Sequence, residues 1–332
     1  MVGVGTTSNR SKGAGQLMIA IILIGLAAGC ASALMFASVI SRTLISVLLL
    51  YLASMPLMVA AIGWGPLSAT VGGIAAALGI GAIFGFAHCL AYALTVALPA
   101  WWLGHLAMLG RPVGDGAEPG PHSLEWYPVG RLLLWIAGFA VLITILTLFS
   151  VSTDPEAIVA AMKRSVTRIL AMYQMEADDR VIGSAAAIAP AMIASGPLIM
   201  LTINLWLAAK ITATSGRLQR PWPDLKATTL PPMTLVVLCV AVAFGFTGGL
   251  LALAAKIVVG ALLTAYALTG FAVLHTLTLA LKNRGLWLTC AYVVMILFVW
   301  PLLSMVALGL ADTVFGFRER FMRTRPPPLP TS

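Results

Sequence analysis

Few residues in this chain are placed to do chemistry, because most of its ionisable groups stand outside its apolar runs. Inside those runs lie His275, Asn204 and Lys256, with His88 and His105 towards the ends of another run. His275 follows Gly270-Phe271-Ala272-Val273-Leu274, deep in apolar sequence. A buried imidazole costs free energy unless it finds a polar partner, so His275 either binds a ligand or makes an interhelical hydrogen bond. Asn204 carries the same two readings, and together they are the candidate substrate-binding residues. Lys256 stands near the start of its run, where its long stem lets the ammonium reach the polar boundary.

Enzyme chemistry has no visible carrier. The chain contains no HExxH, no GxSxG and no Walker loop. Gly79-Ile80-Gly81 lies in an apolar run with no strand before it, which argues against a nucleotide loop. Ser195 and His275 are the residue types of an intramembrane serine protease dyad, yet Ile193 occupies the position where that family has glycine. No catalytic residue, metal site or cofactor is expected, and the chain reads as a non-enzyme. All 11 acids lie outside the apolar runs or at their ends. Proton- and cation-coupled transporters place a carboxylate near the membrane midplane, so an ion-coupled pump is disfavoured.

Small residues recur at a spacing of four. Gly25, Gly29 and Ala33 form one stripe, and Gly73, Ala77, Gly81 and Gly85 form another. Such stripes let helix backbones approach closely, so that dispersion drives association. The second stripe is a candidate helix-packing face. The first is a candidate docking face for a partner subunit, although packing within the chain is the plainer reading of both.

The elements that hold these residues must be long helices in a bilayer. The chain has 332 residues, 60% of them hydrophobic and 9% charged, with a mean hydropathy of +1.00. A soluble domain carries about 25% charged residues. Apolar runs extend from Leu17 to Ile40, Thr43 to Ile62, Leu67 to Gly85, Ala87 to Leu109 and Val129 to Val151. Further runs extend from Ser184 to Ala209, Met233 to Ala252, Leu253 to Leu281 and Gly285 to Leu310. In lipid every backbone group must be paired internally, and runs of this length are therefore helical. The expected fold is an all-α polytopic bundle of eight or nine spans, the count turning on whether the third or fourth run is re-entrant near Gly81 to His88. The expected segments are a basic stretch (1–16), transmembrane helices (17–151), an amphipathic region (152–183), further transmembrane helices (184–311) and a basic, proline-rich tail (312–332).

The polar segments set the orientation problem. Arg111 to Tyr127 reads as an exposed loop. In Asp154 to Asp179, the residues Ile158, Val159, Met162, Val166, Ile169, Leu170 and Tyr173 fall on one helical face, and Lys163, Arg164 and Arg168 on another. That pattern fits a helix lying on the membrane surface, and equally one packed on other helices. Arg217 to Pro232 is a basic, proline-rich turn, and Arg318 to Ser332 ends in polyproline sequence. Arg10 and Lys12 favour a cytoplasmic start. Nine spans then place Lys210, Arg217, Arg220, Lys226, Lys282 and Arg284 inside but the arginine-rich tail outside. Eight spans reverse both results. Leu26-Ala27-Ala28-Gly29-Cys30 partly resembles a lipoprotein cleavage box, but apolar sequence continues to Ile40, which favours an uncleaved first span. Cys30, Cys89, Cys239 and Cys290 read as apolar packing residues. The net charge of +9 is scattered through short segments beside apolar runs, which suits headgroup contact and does not suit nucleic acid.

Three stretches resemble the YybS-like bacterial membrane proteins of unknown function: Gly63-Trp64-Gly65-Pro66; Asn204-Leu205-Trp206-Leu207-Ala208 leading into Gly216-Arg217-Leu218 and Pro221-Trp222-Pro223-Asp224-Leu225; and Gly309-Leu310-Ala311-Asp312 with Phe317-Arg318-Glu319-Arg320. That family is distantly similar to the substrate-binding S-components of energy-coupling-factor vitamin transporters, which usually have six spans. The resemblance implies a multi-pass protein of the inner (cytoplasmic) membrane that binds a small organic solute. It also implies a membrane coupling subunit with a separate ATPase as partner, docked on Gly25, Gly29 and Ala33. A non-transporting membrane scaffold or regulatory protein is the alternative, recruiting partners or anionic lipid through its basic loops.

Overall fold

A computed structural model describes residues 5–112, 124–298 and 300–323. Helix makes up 82% of it, and the all-α bundle expected from the apolar runs is what forms. Among the described residues, seven helical segments are long and apolar enough to cross a membrane. Large apolar side chains such as Leu44, Phe86 and Ile296 stand 91%, 79% and 80% exposed. Water does not tolerate so many exposed apolar groups, whereas lipid does. The polyproline segment lies outside the described residues.

Two compact units divide the chain, one of residues 1–127 with 199–221 and the other of residues 128–198 with 222–332. The first unit opens with α1 (Gly5–Ala37), α2 (Leu44–Leu52) and α3 (Met55–Trp64). Thr43 starts α2 with a capping box, its hydroxyl accepting from Ser46 N while Thr43 N donates to Ser46 Oγ. The α2–α3 break follows from Pro56, whose ring excludes a helical carbonyl four residues back at Leu52, the last residue of α2.

Next come α4 (Pro66–Phe84), α5 (Phe86–Tyr92), a π-helical turn (Ala93–Ala97) and α6 (Leu98–Ala107). The π turn lies just ahead of Pro99, where an α-helical carbonyl would clash. Gly65 and Gly85 bound α4 with nearly the same backbone, φ 92°, ψ 166° and φ 92°, ψ 169°. That region is open essentially to glycine alone. The boundary between the third and fourth runs therefore falls at Gly85, and the segments on either side, Pro66–Phe84 and Phe86–Ala107, are both of spanning length. The expected loop after α6 contains a short hairpin, β1 (Gly110–Pro112) against β2 (Leu124–Trp126), with Arg111 opposite Glu125.

The second unit contains α7 (Val129–Phe149), α8 (Pro155–Met172) and the first part of α9 (Asp179–Thr214), whose remainder belongs to the first unit. It continues with α10 (Met233–Phe244), α11 (Gly249–Leu277), α12 (Arg284–Leu297), α13 (Leu302–Phe315) and α14 (Phe317–Arg323). Two expected runs divide differently here. The boundary expected at Ala252 falls at Gly245 to Gly248, and the run from Gly285 to Leu310 is broken. The break precedes Pro301, whose i−4 residue, Leu297, ends α12 just as Leu52 ends α2. Each half has 14 residues, and a helix of that length covers only about 21 Å of a hydrocarbon layer about 30 Å thick.

Helix α8 is amphipathic, with each end treated differently. Asp154 caps it, accepting from Glu156 N and Ala157 N. Ile158 and Met162 are buried, while Ile169, Met172 and Tyr173 are exposed. Cys30, Cys239 and Cys290 are exposed, contrary to the packing role expected of them, and Cys89 lies against Gly81.

Candidate functional site

Asn204 is 1% exposed and serves the break between α2 and α3. Its Nδ2 donates to Tyr51 O at 2.7 Å and to Ser54 Oγ at 2.7 Å. Ser32 on α1 donates to Ala53 O at 2.6 Å and lies 2.7 Å from the Tyr92 hydroxyl. The single Ser32 proton goes to the carbonyl, so Tyr92 supplies the proton of the second bond. Two backbone carbonyls at the α2–α3 break, Tyr51 O and Ala53 O, are thus paired by side chains from α9 and α1, as a helix break in lipid requires. Asn204 Oδ1 is buried without a partner among the described residues.

His275 belongs to the second unit, while Asn204 belongs to the first. Its Nδ1 lies 2.9 Å from Phe271 O, and its Nε2 lies 3.4 Å from the Tyr292 hydroxyl. Phe271 and Tyr292 stack with ring centroids 5.8 Å apart. The imidazole therefore has a neighbour on each nitrogen and ties α11 to α12. Ser195 pairs with Thr264 Oγ1 at 2.9 Å and has no bond to His275.

The first glycine stripe is occupied by the chain itself. A Cβ on Gly25 would overlap Ser68 O, one on Gly29 would overlap Gly72 O, and one on Gly72 would overlap Gly25 O. Helices α1 and α4 therefore touch backbone to backbone, and Gly25 and Gly29 are not available to a partner subunit. Ala33 is partly buried beside them. The face of α4 that meets α1 carries Ser68 and Gly72, one position away from the stripe read in the sequence. Gly73 instead approaches Ala97, Gly81 approaches Cys89, Ala77 is buried, and Gly85 acts through its positive φ.

The motif stretches pair in ways their spacing does not reveal. Arg217 stacks over the Trp64 ring at 5.1 Å, and a Cβ on Gly63 would stand 2.8 Å from Thr212 Cγ2. Arg220 donates to Ala107 O at 3.0 Å, and burial holds its pKa below the ordinary value. In the second unit, Gly316 turns the chain with φ 63°, which returns Arg318 to Asp312. Arg318 Nε lies 2.8 Å and Nη2 2.7 Å from Asp312 Oδ2, and Arg318 N lies 2.9 Å from Oδ1. Arg318 Nη1 donates to Lys226 O at 2.7 Å and to Thr228 O at 2.8 Å. Both charged side chains are buried and fully engaged, which is the condition for a buried pair to be tolerated.

A cavity of about 560 Å³ opens in the second unit between α8, α9 and the α10–α11 connection. Asp154, Glu156 and Lys163 line it from α8, and Thr247, Gly249 and Lys256 from the other side. Apolar wall comes from Val159, Ala187, Pro190 and Leu253. His275 and Asn204 are not among its lining residues. The site is not legible in the sequence because it joins three separate segments, and Lys256 taken alone has only the pattern of a snorkelling residue. Compared with protein-family models, curated proteins and solved structures, the chain matches none.

Proposed function

We propose that the chain is a solute-binding subunit of a cytoplasmic membrane, similar in role to the S-components of energy-coupling-factor transporters, and that its second unit holds the ligand. The observation that carries this reading is the cavity of about 560 Å³ lined by both charged and apolar residues. Ligand sites combine apolar walls with a few placed polar groups in this way, and their volumes are about 300–1,000 Å³. Energy for movement would come from a partner ATPase, since the sequence carries no nucleotide loop. Such a partner would use a surface other than Gly25 and Gly29, which α4 covers. Native mass spectrometry in mild detergent tests the reading. A retained small molecule is expected, lost on Ala187→Trp, which sets an indole against the cavity wall. No retained mass in the wild type would refute the binding role.

A scaffold role is favoured by one observation, the exposed Lys163, Arg164 and Arg168 on α8. This second reading predicts binding to anionic vesicles that survives Ala187→Trp and is lost when the three bases become glutamine.

A further inference from the structure

The charges around the cavity specify a class of ligand, an inference that rests on reading the cavity as a binding site. On the α11 side the groups are positive. Gly248 caps α11 without a side-chain acceptor, and the first turn of α11 holds no acid. The first amides of a helix need acceptors and carry partial positive charge. Lys256, partly buried, faces the same space, and its ammonium makes no hydrogen bond or ion pair among the described residues. Lys163, on α8 about two turns beyond Glu156, is likewise without an ion pair among the described residues. The start of α8 is negative. Asp154 has already satisfied the first amides of α8, and Glu156 adds a carboxylate in the same turn.

Two lysines and two acids line the cavity, so its formal charge balances. A simple anion would meet Asp154 and Glu156 as repulsion, and a simple cation would meet the lysines. A zwitterion carrying a phosphate and an ammonium a few bonds apart satisfies both ends. The level of the cavity fits the same ligand. It lies at the start of α11 and near the start of α9, both of spanning length, beside an amphipathic helix. Span ends are where headgroups lie. We propose that the cavity binds a phosphoethanolamine group, with its phosphate towards Lys256, Lys163 and the first amides of α11. Its ammonium is directed at Glu156 and Asp154.

The test uses the full chain, delipidated in mild detergent, with bound ligand read by native mass spectrometry. Short-chain phosphatidylethanolamine, phosphatidylcholine and phosphatidylglycerol are titrated separately, with soluble phosphoethanolamine as competitor. Phosphatidylethanolamine is retained about tenfold better than phosphatidylcholine, whose quaternary ammonium cannot donate to a carboxylate. Lys256→Gln weakens phosphatidylethanolamine and phosphatidylglycerol alike by about tenfold. Glu156→Gln weakens only the first, while elution volume and helical content stay unchanged. Displacement by soluble phosphoethanolamine at matching concentration makes the ligand a free solute, and retention only of chain-bearing lipid makes it a lipid. Equal retention of all three lipids, insensitive to both variants, overturns the headgroup assignment. If another solute is then retained and lost on Ala187→Trp, the binding role stands without it; if nothing is retained, both fall.

Discussion

At the scale of single residues, the buried groups are satisfied by neighbours that the linear sequence does not place. Asp312 and Arg318 stand six apart on either side of a helix end, and only the left-handed turn at Gly316 brings them together. Arg318→Ala leaves Asp312 as a buried, unpaired carboxylate and should cost about 3–5 kcal/mol. The double change Asp312→Leu with Arg318→Met should cost less than either single truncation, as measured by thermal unfolding in detergent. Asn204→Leu strips Tyr51 O of its donor and should cost about 1–3 kcal/mol. That Asn204 and His275 need polar partners follows from their place in apolar sequence. Which partners they find was not legible, because Tyr51 becomes an acceptor only where Pro56 breaks the helix.

At the scale of elements, proline and glycine decide where helices stop. Leu52 and Leu297 both end helices four residues ahead of a proline, so these breaks were readable in principle from Pro56 and Pro301. Run length overrode that signal, since the apolar sequence continues through both points. Gly65 and Gly85 are cleaner cases, for a Cβ at either position would meet nothing within 4 Å. Alanine at either should therefore destabilise through backbone conformation alone, by about 1–3 kcal/mol. Gly72→Leu differs, because its side chain would strike the α1 backbone. It should separate α1 from α4, and a disulfide between Ala28→Cys and a cysteine introduced on the facing side of α4 should no longer form. The α1–α4 contact was foreseeable as small-residue packing. Its register on α4 was not, since Gly72 and Gly73 serve different neighbours.

At the scale of the whole molecule, the membrane character was plain from composition, and the helices follow from it. The span count was harder to read. Met233–Phe244, Arg284–Leu297 and Leu302–Phe315 are all shorter than a full crossing, and apolar content alone does not reveal where a run is interrupted. One contact bears on sidedness. Arg318 donates to Lys226 O and Thr228 O, so the segment after α13 and the loop before α10 share a side. Ala227→Cys and Arg320→Cys, each in a chain lacking the four native cysteines, should react with an impermeant maleimide from the same side of the membrane. Opposite labelling would break that link.

The division of α9 has a consequence for synthesis. The first unit needs residues 199–221, which the ribosome delivers well after residue 127. Until Asn204 arrives, Tyr51 O and Ser54 Oγ wait in lipid without their donor. The early helices therefore enter the bilayer as an unfinished set, held open for a late arrival. A chain released before α9 is complete would present that gap to quality-control proteases, and a chain halted just after residue 221 should already resist them over its first unit.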